Sequence, residues 1–453
     1  MYRSLNPTTG ELIEEFALHT DAHVESSLEA AAAEFQVWRR ARLGDRTEVL
    51  ERAARELDAA RDALAELMAE EMGKPVVQGL AEVDKCVWVC RYYAENAEAF
   101  LAPRAAESDG AEAWVRYDPL GTILAIMPWN FPLWQVFRAA APALAAGNTV
   151  VLKHAPNTPR CALRIAELFE AAGTPQSVFT NLFLDNNQAA AAIGHSTVRG
   201  VTLTGSSRAG SEVARRAGAA LKPIVLELGG SDPFIVFDDA DIPAAVEAGV
   251  ASRLLNNGQS CIAAKRFLVQ AAVADEFTER FATRMVAQSV GDPRLDTTQV
   301  GPLARADLRS TLAAQVDASV AAGTEVVVEG GSGDGPGFFY KPTVLRGAPA
   351  DSPAGAEELF GPVAVIELLG SDEEAVEQAN RTRYGLGASM WTADRARVDE
   401  LIPRIDAGSV FVNGMVKSDP RLPFGGVKDS GFGRELARDG VLEFVNTKTV
   451  WMR

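Results

Sequence analysis

The sequence predicts an α/β protein in which a doubly wound parallel sheet is joined to a second α/β domain. Beyond Tyr117, short β-branched runs alternate with alanine-rich helical segments, which is the pattern of βαβ units. The runs are apolar almost throughout, as expected for strands that helices cover on both faces. At 453 residues the chain is too long for one compact core, so two or three structural units are expected.

The first hundred residues are predicted to be mostly helical. Apolar side chains recur at helical spacing from Leu50 through Leu57 and Leu64 to Met68, and Gly73 followed by a proline ends the pattern. Five strands separated by helices are then expected in the segments TILAIMP, NTVVLKH, VFTNLFL, GVTLTG and PIVLELGG.

A second alternating series follows Cys261. Its strands are expected in the segments KRFLVQ, TEVVVEG, YKPTVL, VAVIELL, GASMWT and SVFVNG. The glycine-rich run at 330–337 precedes no helix and lacks a Lys-Ser/Thr ending, so it is predicted to be a surface connection and not a phosphate-binding loop. The final segment EFVNTKTVWMR is typical of an exposed strand that needs a partner, from the same chain or from a neighbouring subunit.

Composition and charge exclude several classes of function. A formal net charge of −17 would repel phosphate backbones and anionic lipids, so neither nucleic acid nor a membrane is expected as a partner. The N-terminal segment lacks a basic region followed by an apolar one, and no run of about 18 apolar residues occurs, which favours a cytoplasmic protein. Four cysteines are too few for a disulfide framework, and the four histidines stand apart from them, so no metal site is predicted.

Two features at predicted strand ends suit the binding of a ligand. The strand GVTLTG runs through Gly205 and Ser206 into a helix, whose unpaired N–H groups and dipole would favour a pyrophosphate. The spacing is not that of the ordinary dinucleotide fingerprint, so a purely structural turn is the alternative. Lys153 ends the strand NTVVLKH at the edge where open α/β sheets bind ligands, although a solvent-exposed lysine would show the same pattern.

Three further residues have the chemistry of a catalytic site. Pro128 and Pro132 hold a rigid bend around Asn130, whose amide could donate to an oxyanion. Glu227 ends an otherwise apolar strand, where desolvation would raise its pKa toward the range of a general base, and a capping or ion-paired glutamate is the alternative. Cys261, in the segment NNGQSCIAA, is either a small core residue or a nucleophile.

Seven motifs along the chain resemble those of the NAD(P)-dependent aldehyde dehydrogenase superfamily. They are PWNFP, TGSSRAG, LELGG, NNGQSC, EELFGP, NRTRYGLGAS and LPFGGVKDSGFGRE. They occur in the order and at roughly the spacings found in that superfamily, and the match covers nearly the whole chain. The resemblance therefore favours the nucleophile over the core residue as the interpretation of Cys261.

The resemblance implies a mechanism. Cys261 would attack the aldehyde carbonyl, and the Asn130 amide and the Cys261 backbone N–H would hold the oxyanion of the thiohemiacetal. After hydride transfer to the nicotinamide, Glu227 would activate the water that hydrolyses the thioester, or would earlier activate the thiol. A base poised for water argues against an enzyme that passes the acyl group to CoA, and the three intact residues argue against a catalytically silent protein.

The resemblance also implies a cofactor site for NAD or NADP. Lys153 would contact the adenosine ribose, and Gly205 and Ser206 would form the pyrophosphate turn. The residues implied near the nicotinamide ribose are Trp129, Glu358 and Phe360. Three residues after Lys153, where NAD-preferring members often carry a glutamate that repels a 2′-phosphate, this chain has Pro156, so strict NAD preference does not follow.

Within the superfamily, the segment VVLKHAPNTPRCA resembles the short bacterial succinate-semialdehyde dehydrogenase branch. Arg138 falls where such enzymes place an arginine for the substrate carboxylate, and Ser418 falls near a second carboxylate contact. An Arg138 that pairs with an acidic neighbour, and a Ser418 that is an ordinary loop residue, are the alternatives. Another arginine of some members is Leu255 here, and Arg421 could replace it.

The predicted substrate is succinate semialdehyde. The alternative is a broader specificity for other small aliphatic or ω-carboxy aldehydes, such as glutarate semialdehyde.

The fold that the resemblance implies has three units. Residues 1–228 would form the cofactor-binding domain, and residues 229–417 the catalytic domain. Residues 418–453 would return to the first domain and supply a C-terminal strand. Together with residues 105–122, that strand would build a small β oligomerisation arm, so a homodimer or homotetramer is expected.

Overall fold

The computed structural model describes residues 1–333 and 335–453, so the predicted surface connection at 330–337 lies partly outside the described residues. The chain begins with an antiparallel hairpin that the sequence pattern does not reveal, because its strand LIEEF is exposed on both faces and shows no alternation. Helices fill most of the remaining segment, as predicted. The elements are β1 Tyr2–Leu5, β2 Leu12–Phe16, α1 Asp21–Trp38, α2 Leu43–Ala59, α3 Arg61–Met72 and α4 Val76–Leu101.

The first predicted series forms five parallel strands in the order β9-β8-β5-β6-β7. The elements are β3 Arg104–Ala105, β4 Glu112–Pro119, β5 Thr122–Ile126, α5 Trp134–Ala146, β6 Thr149–Lys153, α6 Pro159–Ala171, β7 Phe179–Asn181, α7 Asn186–Gly194, β8 Val198–Thr204, α8 Ser207–Ala219 and β9 Ile224–Glu227. A helix lies between each pair of consecutive strands from β5 to β9, so the predicted doubly wound parallel sheet is confirmed. The chain order reverses beside β5, which creates a crevice at the carboxyl ends of β5 and β8.

The second sheet has seven strands in the order β12-β15-β16-β11-β10-β18-β19, parallel except for β12. The elements are β10 Asp232–Val236, α9 Ile242–Leu254, β11 Ala264–Gln270, α10 Ala274–Val286, α11 Ala306–Ala321, β12 Glu325–Val328, β13 Gly331–Ser332, β14 Tyr340–Lys341, β15 Thr343–Arg346, α12 Pro353–Ala356, β16 Val363–Leu369, α13 Asp372–Asn380, β17 Tyr384–Gly385, β18 Gly387–Trp391, α14 Arg395–Leu401 and β19 Ser409–Val412. The expectation that this series follows Cys261 is wrong in one respect. Its strand β10 comes before Cys261. The sequence pattern did not reveal this fully buried strand because it opens with Asp232 and Pro233, which are typical of turns.

The C-terminal segment returns to the first sheet. Its elements are β20 Val427–Lys428, β21 Gly431–Phe432, α15 Ala437–Leu442 and β22 Val445–Met452. Strand β21 pairs with β9 in antiparallel fashion, and β22 pairs with β4 within the same chain, in a three-stranded sheet that β3 completes. The C-terminal strand therefore has its partner in this chain. The division into domains at residues 228 and 417 stays a prediction.

Packing places the longest helix beside the crevice. Helix α4 packs against α2, α3 and α5, and α5 is buried along its whole length. In the second sheet, side chains alternate between two apolar layers, since Phe234 and Val236 of β10 face one cluster and Ile235 faces the other. Cys86 and Cys90 on α4 are buried in the core that helices share with the first sheet.

The described residues contain neither a candidate metal site nor a helix suited to cross a membrane. Residues 1–333 and 335–453 hold no group of three or more His, Cys, Asp or Glu side chains placed to bind a metal ion. In the same part of the chain, no helix is both long enough and apolar enough to cross a membrane.

Candidate active site

A groove of about 350 Å³ opens at the crevice of the first sheet. Segments that follow β5, β8 and β9 all reach it, as the reversal of strand order requires. The predicted cofactor and catalytic residues among its lining are Trp129, Asn130, Gly205, Ser206, Cys261, Glu358 and Phe360. Lys153, although it ends β6, is not one of the described residues that line this groove.

A second cavity of about 250 Å³ lies on the other side of Cys261. It is lined mainly by apolar and aromatic side chains, and it carries a basic cluster. Its lining includes Lys85, Trp134, Arg138, Ser418 and Phe424. Cys261 and Gln135 line both spaces, so the thiol stands where the groove and the cavity meet.

The turn before Cys261 is held in an unusual backbone conformation. Asn256 and Asn257 both have positive φ angles, of 55° and 59°, which asparagine tolerates better than most residues. The Asn256 side-chain amide donates to the carbonyl of Asn130 at 2.6 Å, and that of Asn257 donates to the carbonyl of Gly73 at 2.8 Å. These bonds fix the turn to the bend around Asn130 and to the end of α3, and so they fix the position of Cys261.

Buried charges surround the Cys261 thiol. The ammonium of Lys265 donates to the backbone carbonyls of Ser260 and Cys261 at 2.9 and 2.8 Å. Burial raises the pKa of the Cys261 thiol to about 12, and the positive charges of Lys265 and Arg138 act in the opposite direction. The thiol is therefore protonated in the resting protein, and attack on a carbonyl requires that its proton be removed.

Asn130 lies next to this turn as the motif predicts. Its side-chain N–H donates to the carbonyl of Gln259 at 3.0 Å, and its side-chain oxygen accepts from Gln135 at 3.2 Å. A primary amide carries two N–H groups, so one donor remains after the bond to Gln259. The amide is thus oriented by its neighbours and keeps a hydrogen for an oxyanion.

Glu227 occupies the end of β9 and is 2% exposed. Neither carboxylate oxygen has a hydrogen-bond partner among the described residues. Burial raises its pKa well above the usual value, the charge of Glu435 adds to this effect, and Arg138 opposes it. The alternative of a capping or ion-paired glutamate does not fit these surroundings, and an unpartnered buried carboxylate is a suitable general base.

Close backbone packing joins Glu227 to the thiol segment. The Gly-Gly pair that follows β9 runs against the cysteine turn, and a Cβ added to Gly230 would lie 2.6 Å from the carbonyl oxygen of Cys261. On the other side, Gly425 has a φ of +156°, and a Cβ there would lie 2.8 Å from Glu227 Oε1. Glycine is required at both positions for Glu227 to occupy this place beside the cysteine turn.

Each end of the groove has a feature that suits one part of a dinucleotide. Helix α8 begins at the groove with Ser206 as its N-cap, and no acidic side chain stands in its first turn, which suits a pyrophosphate. At the other end, Glu358 accepts from the Gly230 N–H at 3.1 Å and lies 3.3 Å from Lys265 Nζ, so its carboxylate is held in one orientation. The Trp129 and Phe360 rings meet edge to face at 5.8 Å beside it.

Of the two predicted carboxylate contacts, Arg138 is already paired. Its guanidinium forms a buried ion pair with Glu435, as the alternative interpretation held, and donates to Thr204 Oγ1 at 3.4 Å. Ser418 accepts a hydrogen bond of 2.7 Å from Lys85 Nζ and is buried. Arg421 pairs with Asp419 and is not among the described residues lining the cavity, so it does not replace the missing arginine there.

Sequence reasoning missed three charged residues of this site: Lys85, Lys265 and Glu435. Lys85 and Glu435 are far along the chain from the residues that they contact, whereas Lys265 contacts the carbonyls of the adjacent turn and also lies near the distant Glu358. The only local signal is that Lys85 shares the helix segment DKCVWVC with two core cysteines, where a lysine is unusual.

Comparisons with known proteins agree with this geometry. The sequence matches the aldehyde dehydrogenase family over residues 1–450. It is 49% identical over 449 residues to a probable succinate-semialdehyde dehydrogenase (NADP+) of Synechocystis, with 99% of each chain covered. It is 46% identical to a succinate semialdehyde dehydrogenase (NAD(P)+) of Escherichia coli, over 99% of this chain and 97% of the relative.

The fold also has close counterparts among solved structures. A succinic semialdehyde dehydrogenase from Streptococcus pyogenes, in complex with NADP+, is 38% identical, with a TM-score of 0.98 and 100% of both chains covered. The chain therefore belongs to the aldehyde dehydrogenase family. The prediction of an NAD(P)-dependent aldehyde dehydrogenase is confirmed, and the roles of individual residues stay predictions.

Proposed function

We propose that this protein oxidises succinate semialdehyde to succinate with NADP or NAD. One observation carries the proposal: Cys261 stands between a groove that fits a dinucleotide and a cavity that holds a basic cluster. An aldehyde with a carboxylate at its other end would place the carbonyl at the thiol and the negative charge at Lys85, Arg138 and Ser418. The names of the relatives support the same substrate.

The first step is attack by Cys261 on the aldehyde carbon. A carbon–sulfur bond forms, the carbonyl π electrons move to oxygen, and the thiol proton passes to a base, a role for which Glu227 is the proposed residue. Asn130 donates its remaining N–H to the new oxyanion. A nicotinamide cofactor held in the groove beside Trp129, Glu358 and Phe360 would supply the acceptor for the hydride of the former aldehyde carbon.

The second half of the reaction depends on Glu227. The thioester left on Cys261 must be hydrolysed, and a buried carboxylate without a fixed partner can take a proton from the attacking water. Burial raises the pKa of Glu227 well above its usual value, which makes the ionised carboxylate a stronger base. The carbon–sulfur bond then breaks, and the product carboxylate leaves.

We propose that both cofactors are used. No carboxylate occupies position 156, where Pro156 is exposed, so a 2′-phosphate on the adenosine ribose meets no repulsion from this side chain. Lys153, at the end of β6, would supply a positive charge to that ribose. Burial lowers its pKa to about 8, so the charge would weaken in alkaline solution.

The direct test is to follow absorbance at 340 nm with succinate semialdehyde, with NAD and NADP run in parallel. We expect reduction of cofactor with succinate semialdehyde, and no turnover by Cys261→Ala. Comparing kcat/KM across butanal, succinate semialdehyde and glutarate semialdehyde would define the chain length. A higher kcat/KM for butanal than for succinate semialdehyde would contradict the proposed substrate.

We also propose a cytoplasmic homodimer or homotetramer assembled through the small β arm. Strand β22 is an edge strand of its three-stranded sheet and exposes Trp451 and Met452, which supports a subunit contact there. Light scattering coupled to size exclusion would measure the mass. A monomer at micromolar concentration would contradict the proposal.

A further inference from the structure

We propose that Lys265 is a positioning residue for the cysteine turn, where it holds and polarises the peptide unit that bears the backbone N–H of Cys261. The proposal rests on the proposed function, since it concerns the nucleophile and the oxyanion donor of that reaction. It follows from the acceptors that the Lys265 ammonium contacts, and from the excess of positive charge buried behind the turn.

The ammonium of Lys265 uses all three of its hydrogens inside the protein. Lys265 is 1% exposed, donates to the carbonyls of Ser260 and Cys261 at 2.9 and 2.8 Å, and lies 3.3 Å from Glu358 Oε1. The carbonyl of Ala263, at 3.4 Å, is a weaker fourth acceptor. Three close acceptors require three hydrogens, which only the charged form of a lysine carries. No hydrogen is left for a substrate, so Lys265 acts on the reaction through its neighbours.

The contact with Ser260 bears on the proposed oxyanion donor. The Ser260 carbonyl and the Cys261 N–H belong to the same planar, conjugated peptide unit. A cation bonded to the carbonyl oxygen withdraws electron density from that unit, so its N–H becomes a stronger hydrogen-bond donor. The same cation acts on the thiol. Burial has the largest influence on the pKa of the Cys261 thiol and raises it, and the charge of Lys265 has the largest influence that lowers it.

Positive charge exceeds negative charge behind the turn. Arg253 is fully buried and donates to the Gly258 carbonyl at 2.6 Å, while its Nε and Nη1 have no partner among the described residues. Glu358 is the carboxylate whose charge acts on both Arg253 and Lys265. Burial raises the pKa of Asp232, the other acid that faces Lys265, to about 7, so its charge is only partly present at neutral pH. These cations are not fully neutralised, so they stabilise an anion that forms at the turn.

The Cys261 thiol is faced by charged groups from four parts of the fold. They are Lys265 on β11, Arg138 on α5, Glu358 on the segment before β16, and Glu227 on β9. The two cations favour the thiolate, and the two carboxylates oppose it. Glu358 contacts Lys265 and also lines the groove, so a change at Glu358 reaches the thiol both directly and through Lys265.

Alkylation by iodoacetamide measures the thiolate of Cys261 without substrate or cofactor. At neutral pH, Lys265→Met is expected to lower the alkylation rate at least about 10-fold, because it removes the positive charge that most favours the thiolate. Cys261→Ala should take up no label on this timescale, because the other three cysteines are fully buried. Alkylation of Lys265→Met at the wild-type rate would overturn the proposal.

Lys222→Met is the matched control. The Lys222 ammonium also donates to two backbone carbonyls, those of Ile193 and His195, but it lies at the opposite end of β9 from Glu227. Its charge is therefore largely screened from the thiol, and the variant should change the alkylation rate by less than about 3-fold. A loss as large as that of Lys265→Met would overturn the proposal, because any buried lysine would then have the same effect.

Glu358→Gln separates charge from packing. It keeps the size of the side chain and an acceptor for the Gly230 N–H, and it removes a charge that opposes the thiolate, so alkylation should become roughly 2- to 10-fold faster. The double variant Lys265→Met/Glu358→Gln should recover much of the rate that Lys265→Met loses. Slower alkylation of Glu358→Gln, or a double variant as slow as Lys265→Met, would overturn the proposal, because packing and not charge would be the cause.

Steady-state kinetics test the oxyanion donor. Lys265→Met should lower kcat/KM for succinate semialdehyde by about 10²-fold or more, a larger loss than in alkylation, because only the aldehyde reaction forms an oxyanion. Equal losses in the two measurements would overturn the action of Lys265 on the oxyanion donor. If wild-type Cys261 is alkylated but the protein does not oxidise succinate semialdehyde, the proposed substrate is wrong, and the alkylation rates still decide whether Lys265 acts on the thiol.

Discussion

Two buried glutamates on opposite sides of the site have contrasting surroundings. Glu82 on α4 is 4% exposed and Glu227 on β9 is 2% exposed. Glu82 accepts the backbone N–H groups of Leu133 and Trp134 at 3.0 and 2.9 Å and forms an ion pair with buried Lys74. Glu227 has no hydrogen-bond partner among the described residues and stands beside a second acid, Glu435.

The difference predicts a structural role for Glu82 and a reactive role for Glu227. Glu82 satisfies N–H groups at the start of α5, directly after the bend that carries Asn130, so it helps to fix that bend in place. Glu227 has no comparable hydrogen bond or ion pair among the described residues. Burying an unpartnered carboxylate costs free energy, and such groups are concentrated at functional sites. Hydrogen bonds and an ion pair stabilise the ionised form of a carboxylate and so weaken its affinity for a proton. A buried carboxylate without such contacts binds a proton more readily.

Replacing the free carboxylate should have the largest effect. Glu227→Gln is expected to lower kcat by about 10²- to 10⁴-fold, because an amide cannot take a proton from water. If deacylation is the step lost, stopped-flow absorbance at 340 nm should show one equivalent of reduced cofactor per site, followed by slow turnover. Steady-state turnover at the wild-type rate would contradict the role of Glu227 as the base.

Replacing the held carboxylate should act on stability instead. Glu82→Gln keeps a hydrogen-bond acceptor for the α5 N–H groups but leaves buried Lys74 without a counter-charge, which costs about 3–5 kcal/mol of unfolding free energy. Urea denaturation would measure the loss. The double variant Lys74→Met/Glu82→Gln should recover much of it, and equal losses in single and double variants would show that the ion pair is not the cause.

The smallest effect is a difference in how stability depends on pH. The folded-state pKa of Glu227 lies above its unfolded value near 4.5, so the folded protein binds the extra proton and loses stability as pH rises above 4.5. The slope for one proton is at most about 1.4 kcal/mol per pH unit. Glu227→Gln mimics the protonated form, so urea midpoints between pH 5 and 8 should favour the variant increasingly, and parallel curves would contradict the raised pKa.

The sequence predicted most of the fold because its signals are local. Apolar β-branched runs marked β5 through β9, and the motifs after β5, β8 and β9 marked residues that the parallel sheet brings to one edge. Strand β10 was not predicted, because a segment that opens with Asp232 and Pro233 resembles a turn. The hairpin of β1 and β2 was not predicted, because both faces of its second strand are exposed and its sequence shows no alternation.

The charge network of the site could not be predicted in the same way. The partner of Arg138 is Glu435, almost three hundred residues further on, and the partner of Lys85 is Ser418. The tertiary packing of α4, α5 and the C-terminal segment brings such pairs together. The sequence next to each residue does not indicate which partner it has. A lysine on a helix ordinarily indicates a solvated face, and only the packing of α4 shows that Lys85 is turned to a cavity.

The return of the C-terminal segment determines when the site becomes complete. Strand β21, Gly425 and Glu435 enclose Glu227, and all of them are made near the end of synthesis. A nascent chain on the ribosome carries the cysteine turn and the strand that ends at Glu227 long before the segment that encloses Glu227. With the roles proposed for Cys261 and Glu227, catalytic competence would be a late event in biogenesis, and a chain released prematurely would leave Glu227 exposed to water.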